Sequence, residues 1–258
     1  MQAVLFDLWE TLIHDAPELQ RARQLWRAAN IRAIFDLDGE NVDTGFLDQA
    51  LTNAIHGLSA MHDRGTDTDA AGRVQLFLGE YEKLGGPAPD ERTHETLHDA
   101  LCTMPAGLYP QRMAGAVETL SAIKAQGLKT ALISNAGITT APTLREMLEH
   151  YGLLPLLDVL VFSDEMQLAK PSVAIFETAL SALGCDAPEA VFIGDSPAHD
   201  VAGARAAGMR TVVIGHKHID GIEPDARIED LGALLDVLDV LESFEQQASG
   251  FEPRASRA

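Results

Sequence analysis

Cysteine is scarce in this chain of 258 residues, which contains only Cys102 and Cys185. Two cysteines are too few for a disulfide framework or for a zinc site built mainly of thiolates. Such a composition is typical of proteins that work in a reducing compartment, and it predicts a cytoplasmic location.

The sequence also lacks a targeting segment and a long apolar run. A signal peptide would begin with basic residues and continue through a longer apolar stretch, whereas Met1–Phe6 reaches an acidic residue at Asp7. A membrane-spanning helix needs roughly 18 or more consecutive apolar residues, and no segment meets this requirement. We therefore expect no membrane partner.

Basic residues are half as common as acidic ones, with 19 Lys and Arg against 39 Asp and Glu and a formal net charge of −20. At long range this surface repels the phosphates of DNA and RNA, so we expect no nucleic-acid partner. It also repels a small anionic substrate. Such a substrate would need a local positive pocket.

Apolar segments of strand length alternate with helical patterns, which predicts an α/β fold. The expected strands are Ala3–Phe6, Lys129–Ile133, Asp158–Phe162, Ala190–Ile193 and Arg210–Ile214. Helical stripes lie between them, one of them beginning at Pro171 and the last running through Leu231–Leu241. Nearly continuous apolar strands separated by helices favour a doubly wound, Rossmann-like parallel sheet that is covered on both faces.

One part of the chain does not follow this alternation. Residues 14–106 show helical patterns broken by polar and glycine-containing segments, which predicts an α-helical cap inserted into the core. The core would then consist of residues 1–13 and 107–245. The tail 246–258 has no apolar face, so we expect it to be mobile.

Polar side chains follow several of the expected strands. Asp7 ends the first expected strand, Ser134 the second and Asp195 the fourth. Asp200 follows Asp195 by five residues, and Lys170 precedes a helix. Each alone could be a helix cap, a turn or a surface charge. Ligands of parallel sheets bind beyond the carboxyl ends of the strands, where these residues would meet.

Together these segments resemble the four motifs of the haloacid dehalogenase superfamily, in the same order over nearly the whole chain. The likeness is strongest in Gly194–Ala204 and in Ala169-Lys170-Pro171. The resemblance implies that Asp7 is the nucleophile, forming an aspartyl-phosphate. It also implies that Ser134 and Asn135 bind the phosphoryl oxygens and that Lys170 neutralises them.

The resemblance further implies a magnesium site. Asp7, Asp195 and the backbone carbonyl of Trp9 would hold Mg²⁺, and Asp200 would support the metal shell or Lys170. Mg²⁺ prefers oxygen ligands and keeps several waters, so a few protein oxygens suffice. A cation and a lysine also offset the repulsion between a carboxylate and a phosphate. The expected substrate is a small phosphorylated metabolite, either an ester or an activated phosphate.

Trp9 departs from the phosphatase pattern, which has an aspartate there as general acid. Indole cannot supply that proton, and about 10²–10⁴-fold of assistance would be missing. The dehalogenases carry an aromatic residue at this place, so carbon–halogen hydrolysis by Asp7 is an alternative, as is a weakly active or non-catalytic binding protein.

Lys83, the only lysine of the expected cap, is interpreted as a surface residue. The acid could come from one of the cap histidines, which are His14, His56, His62, His94 and His98.

A second segment competes for the role of the first motif. Phe35-Asp36-Leu37-Asp38-Gly39 has an acid at both positions. However, Glu40 and Asn41 follow where Thr or Val and an apolar residue are usual, and Leu25, Ala28, Ile31 and Phe35 continue a helical stripe into it. Asp7 is followed by Thr11 and Leu12 in the proper places, which favours Asp7.

Overall fold

Six parallel strands form the sheet around which the molecule is built. The computed structural model describes residues 1–37, 43–86, 88–89 and 91–249. In chain order its strands are β1 (Ala3–Phe6), β2 (Ile13–His14), β3 (Gln111–Arg112), β4 (Lys129–Ser134), β5 (Val159–Phe162), β6 (Ala190–Gly194), β7 (Arg210–Ile214) and β8 (Ala226–Ile228). The short strands β2 and β3 pair with each other in antiparallel fashion, and the other six form the sheet in the order β5-β4-β1-β6-β7-β8.

The register of this sheet brings three strand ends together. β1 lies between β4 and β6, and Phe6 is paired with Leu132 on one side and Ile193 on the other. Because all three strands run in the same direction, the residues that follow them emerge at one edge. Asp7, Ser134 and Asp195 therefore lie in neighbouring positions at the carboxyl end of the sheet.

Helices cover both faces of the sheet. In chain order the helices of the molecule are α1 (Pro17–Leu37), α2 (Thr44–His62), α3 (Ala70–Lys83), α4 (Glu91–Cys102), α5 (Ala116–Ala125), α6 (Ala141–His150), α7 (Ser163–Met166), α8 (Val173–Leu183), α9 (Ala202–Ala206) and α10 (Leu234–Ser249). Val4 and Phe6 pack with α5, α6 and α10, while Ala3 and Leu5 pack with α8 and α9. Alternate residues of one strand are thus buried on opposite faces, and the predicted doubly wound α/β fold is confirmed.

Helices α1 to α4 form a separate unit with its own apolar core, which we call the four-helix unit. Phe35, Phe77 and Tyr81 are at its centre, and the rings of Phe77 and Tyr81 are stacked with centroids 6.3 Å apart. All four helices lie within the range 14–106 expected for the insertion. The domain boundaries themselves stay a prediction.

The competing first motif falls on the end of α1. This helix runs to Leu37, so Asp36 lies in its last turn and does not follow a strand of the sheet. Ala28, Ile31 and Phe35 are buried, as the helical stripe predicts, whereas Leu25 is 63% exposed. Asp38 lies outside the described residues. The backbone therefore gives Asp7, and not Asp36, the position at the end of a central strand.

Several elements differ from the expectations, and the strand bounds do so by one residue at β4, β5 and β6. α8 begins at Val173 with Ser172 as its N-cap, so Pro171 precedes the helix and does not start it. α10 continues to Ser249, past the boundary at Gln246 expected for the tail, while residues 250–258 lie outside the described residues. The short strand β8 was not predicted, because three residues carry too little periodicity.

Every described helix is too short or too polar to span a bilayer.

Candidate active site

Asp7 lies directly after β1, at the centre of the sheet's carboxyl edge. Its backbone N–H donates to the carbonyl oxygen of Ile193 at 2.8 Å, which continues the pairing with β6. The side chain is held by the hydroxyl of Thr11, which donates to Oδ2 at 3.3 Å. Asp7 is only 5% exposed, so its carboxyl group is removed from most of the surrounding water.

A buried lysine joins Asp7 to a second carboxylate. Nζ of Lys170 lies 2.5 Å from Oδ1 of Asp7 and 2.7 Å from Oδ1 of Asp200, and Lys170 is 2% exposed. Burial alone would lower the pKa of Lys170, but the charges of Asp200 and Asp7 raise it above its usual value. The ammonium group therefore stays protonated at neutral pH.

The electrostatics of Asp7 are dominated by burial. Burial raises the pKa of its carboxyl group to about 7, and although Lys170 lowers this pKa, the negative charges of Asp200 and Asp195 add to the rise. Removing a carboxylate from water disfavours its charged form, and nearby negative charges act in the same direction. An added cation would favour the ionised nucleophile.

Asn135 makes a contact that the family resemblance did not imply. Its Oδ1 accepts the backbone N–H of Lys170 at 2.8 Å, and its Nδ2 donates to the carbonyl oxygen of Lys170 at 3.0 Å. The side-chain amide thus pairs with the lysine backbone at both ends. It positions Lys170, and the phosphoryl contact expected of Asn135 stays a prediction.

Ser134 ends β4 and is completely buried. Its hydroxyl lies 3.5 Å from the carbonyl oxygen of Asn135, at the limit of hydrogen bonding. The hydroxyl is therefore only weakly held by the protein and can donate to an anion at the sheet edge.

Three carboxylates converge at this edge. One oxygen each from Asp7, Asp195 and Asp200 lie within 4.8 Å of one another. Oδ2 of Asp200 also accepts the backbone N–H of Ser196 at 2.9 Å, so Asp200 is fixed from two sides. Oxygen ligands at this separation suit a hard divalent cation. The three carboxylates together carry more negative charge than the positive charge that Lys170 and Lys217 supply. The donor set therefore fits Mg²⁺.

Lys217 is a member of the site that the motifs did not reveal. It follows β7, and its ammonium group forms an ion pair with Oδ2 of Asp195. Its side chain is 62% exposed, in contrast to Lys170. Its place just after a parallel strand was a signal that could have found it. Because Lys217 is anchored only by a partly screened surface pair, it can leave Asp195 at low cost.

A cavity of about 340 Å³ opens beside these residues, between the four-helix unit and the core. Its lining includes Trp9, Arg27, His62, Asn135 and Thr139. Of the cap histidines named above, His62 is the one that lines it. Lys83 is 71% exposed and pairs with Glu80, as expected for a surface residue.

Arg27 gives this cavity a positive wall. It is 3% exposed and donates to the carbonyl oxygen of Leu101 at 2.9 Å and to Oγ1 of Thr139 at 2.5 Å. The acceptors found for it among the described residues are neutral. Burial, and then the charge of Arg23, lower the pKa of Arg27 to about 10, so it remains charged at neutral pH. Its hydrogen-bond acceptors do not cancel its charge, and Asp15, which also lines the cavity, forms its ion pair with Arg23.

Comparison with known proteins identifies the family. The family model described as haloacid dehalogenase-like hydrolase matches residues 1–208. The chain belongs to the haloacid dehalogenase-like hydrolases. The predicted membership is thereby confirmed, and this chain is an enzyme of that family.

Phosphatases are among the sequence relatives of this hydrolase, and a dehalogenase is among the solved structures of similar fold. The chain is 33% identical to phosphoglycolate phosphatase of Rhodospirillum rubrum, over 90% of this chain and 85% of the relative. It is 30% identical to phosphoserine phosphatase of Thermus thermophilus, over 90% and 96% of the two chains. Its fold resembles that of a 2-haloacid dehalogenase from Pseudomonas syringae pv. Tomato, with a TM-score of 0.66, 21% identity and coverage of 93% and 99%.

The position of the Asp200 carboxylate depends on the absence of a side chain at Gly194. A Cβ atom at this position would lie 2.3 Å from Oδ2 and 2.4 Å from Cγ of Asp200, so the carboxylate would have to move. Gly194→Ala should therefore displace Asp200 from Lys170 and lower turnover by roughly 10²-fold, the scale of a misplacement of about 1 Å. Steady-state kinetics together with thermal unfolding measure this effect.

Gly57→Ala is the matched control, because a Cβ there meets no atom within 4 Å in helix α2. It should leave turnover unchanged and increase the free energy of unfolding by about 0.5–1 kcal/mol. Full activity of the Gly194 variant would mean that Asp200 is not needed where the structure places it.

Proposed function

We propose that this hydrolase is a Mg²⁺-dependent phosphatase that acts on a small phosphate ester or activated phosphate through an aspartyl-phosphate at Asp7. The observation that carries the proposal is the buried ammonium group of Lys170 between Asp7 and Asp200. A carboxylate that attacks a phosphate needs a positive charge beside it, and a lysine buried at the end of the central strand supplies one. The curated relatives that the chain matches are phosphatases, which favours phosphoryl transfer.

The cavity supports a small anionic substrate. Its volume of about 340 Å³ suits a metabolite better than a polymer, and Arg27 provides a positive charge in a protein of net charge −20. The local positive pocket that such a substrate requires is thus available. The predicted absence of a nucleic-acid partner and the cytoplasmic location stay expectations from composition.

The chemistry assigned to the chain's own residues has two displacements. A carboxylate oxygen of Asp7 forms a bond to phosphorus while the bond from phosphorus to the leaving-group oxygen breaks. Water then attacks phosphorus, releases inorganic phosphate and restores the Asp7 carboxylate. Lys170 and the hydroxyl of Ser134 hold the phosphoryl oxygens, and covalent capture divides one difficult hydrolysis into two easier steps.

The metal would be held by Asp7, Asp195 and the backbone carbonyl of Trp9, with Asp200 supporting Lys170. When bound, Mg²⁺ supplies positive charge to the phosphoryl oxygens and favours the ionised form of Asp7. Lys217 must leave Asp195 for that carboxylate to serve as a ligand with both oxygens.

Carbon–halogen hydrolysis is the second candidate, and Trp9 is the observation that favours it. In that reaction Asp7 would attack carbon and displace a halide, a leaving group that needs no proton. The aromatic side chain at position 9 lines the cavity where a general acid would be expected. The convergence of Asp195 with Asp7 favours the metal-dependent reaction over this alternative.

The nucleophile is tested by comparing two substitutions. Asp7→Asn should lower turnover of an aryl phosphate by roughly 10³-fold or more, because an amide is not a nucleophile. Asp36→Asn is the matched control and should retain full activity, since Asp36 lies in the last turn of α1. The measurement is steady-state turnover of folded protein. An inactive Asp36 variant beside an active Asp7 variant would reverse the assignment.

The metal is tested at Asp195. Asp195→Asn should raise the Mg²⁺ concentration for half-maximal activity by roughly tenfold or more, because a hard cation loses a charged oxygen. Titration of activity with Mg²⁺, after treatment with a chelator, measures the shift. Full activity of the wild-type enzyme in excess chelator would contradict metal-dependent phosphoryl transfer, and halide release under those conditions would establish the dehalogenase.

The third test concerns Trp9 and compares turnover of phosphates whose leaving groups differ in quality. An aryl or acyl phosphate departs without a proton, whereas an alkyl phosphate needs one in the transition state, so the wild-type enzyme should strongly prefer activated phosphates. Trp9→Asp should narrow that preference, by up to about 10²-fold. Trp9→Phe is the control and should leave the ratio of the two rates unchanged. Equal wild-type rates on both substrate classes would show that another group donates the proton.

A further inference from the structure

An arginine of the four-helix unit reaches the loop that follows Ser134. Arg73, in the first turns of α3, is completely buried. Its Nε donates to the carbonyl oxygen of Gly137 at 2.9 Å, and its Nη2 donates to that of Ala136 at 2.9 Å. One rigid guanidinium plane therefore holds two consecutive peptide carbonyls of the core.

Asp67 neutralises this arginine inside the protein. Its side chain is fully buried, and its Oδ2 lies 3.1 Å from Nη2 of Arg73 and 3.1 Å from Nε2 of His62. Its Oδ1 accepts the backbone N–H of Thr68 at 2.7 Å. Burial alone would raise the pKa of Asp67, but hydrogen bonding and the charge of Arg73 hold it below its usual value. The pair is therefore ionised in the folded protein.

Ser163 connects the same carboxylate to the same loop. Its hydroxyl donates to Oδ2 of Asp67 at 2.5 Å and accepts the backbone N–H of Ala136 at 2.8 Å. Ser163 begins α7, directly after β5. The peptide groups on both sides of Ala136 are thus held, the N–H by Ser163 and the carbonyl by Arg73.

The chain around Asp67 also contacts the segment that leads to Lys170. Thr66 forms an antiparallel bridge with Leu168, and the N–H of Ala169 donates to the carbonyl oxygen of Gly65 at 3.0 Å. The turn between α2 and α3 therefore contacts the segment that leads to Lys170, while Arg73 of α3 contacts the loop after Ser134.

Stability alone does not explain a buried ion pair of this kind. Removing two charges from water costs roughly several kcal/mol of free energy per ion. Well-packed apolar residues can replace such ion pairs without loss of stability. What apolar residues cannot replace is the direction of the donors, because two carbonyls and one N–H of the loop are fixed at defined angles. The network is built to orient a backbone.

We propose that Arg73, Asp67 and Ser163 are positioning residues that set the backbone of Ala136 and Gly137, so that the loop after Ser134 is prearranged to bind the transferring phosphoryl group. This inference rests on the proposed phosphatase function. The three residues act through the loop, and none of them touches the substrate. Through Arg73, and through Asp67 in the turn before α3, the four-helix unit orients the phosphoryl site, while Ser163 acts from the core.

The test compares Arg73→Met, Arg73→Lys and Ser163→Ala with Arg32→Met. Arg32 pairs with Asp48 on the surface of the same four-helix unit, so its variant controls for the loss of an ion pair. With saturating Mg²⁺, Arg73→Met and Ser163→Ala should weaken inhibition by orthovanadate, a mimic of the transferring phosphoryl group, by about tenfold or more. Arg73→Lys should recover only part of the loss, because an ammonium cannot hold two carbonyls in one plane. Arg32→Met should match the wild type.

Two further readouts separate positioning from simple destabilisation. Hydrogen exchange at the amide of Ala136 should accelerate in Ser163→Ala under conditions where thermal unfolding shows the protein to be folded. If Arg73→Met does not fold, Ser163→Ala and Arg73→Lys decide the question. Wild-type orthovanadate affinity and turnover in these folded variants would overturn the positioning role alone. A wild-type enzyme that hydrolyses no phosphate ester would overturn the proposed function and this inference together.

Discussion

The structure depends on one buried contact, in which Lys170 lies between Asp7 and Asp200. A lysine removed from water is stable only when its charge is compensated at hydrogen-bonding distance. Each neighbour of this contact has a part in holding it: Asn135 pairs with the lysine backbone, and Ser196 donates to Asp200. Gly194 leaves the space that Asp200 occupies. The compensated lysine therefore fixes the position of the Asp7 carboxylate.

The same contact, together with Arg27, bears on how an acidic protein could hold the anionic substrate that we propose. The net charge of −20 is spread over the molecule, and its exposed part is screened within about 8 Å at physiological ionic strength. Lys170 and Arg27 are almost completely buried, so their charges would act on the proposed anion with little screening by water. The local charge of the cavity, and not the total charge, governs what this hydrolase can bind.

The four-helix unit and the core are joined through polar contacts at the site. Arg73 donates to core carbonyls, Arg27 donates to Thr139, and Asp67 binds Ser163. These contacts all end on the loop after β4 or beside it. Apolar packing could hold the two parts together, but it could not orient individual peptide groups.

The sequence by itself determined the α/β alternation, the strands β1, β4, β6 and β7, and the order of the reactive residues, because these depend on periodicity within short segments. It favoured Asp7 over Asp36 from the residues that follow each, and the tertiary structure agrees by placing Asp36 in the last turn of α1. The place of Lys217 after β7 was a signal for its contact with Asp195, but the sequence could not reveal that Asn135 holds Lys170 or that Arg73 holds the loop. Each of the latter two contacts joins residues far apart in sequence, and their pairing depends on how the elements pack, which leaves no local pattern in the chain.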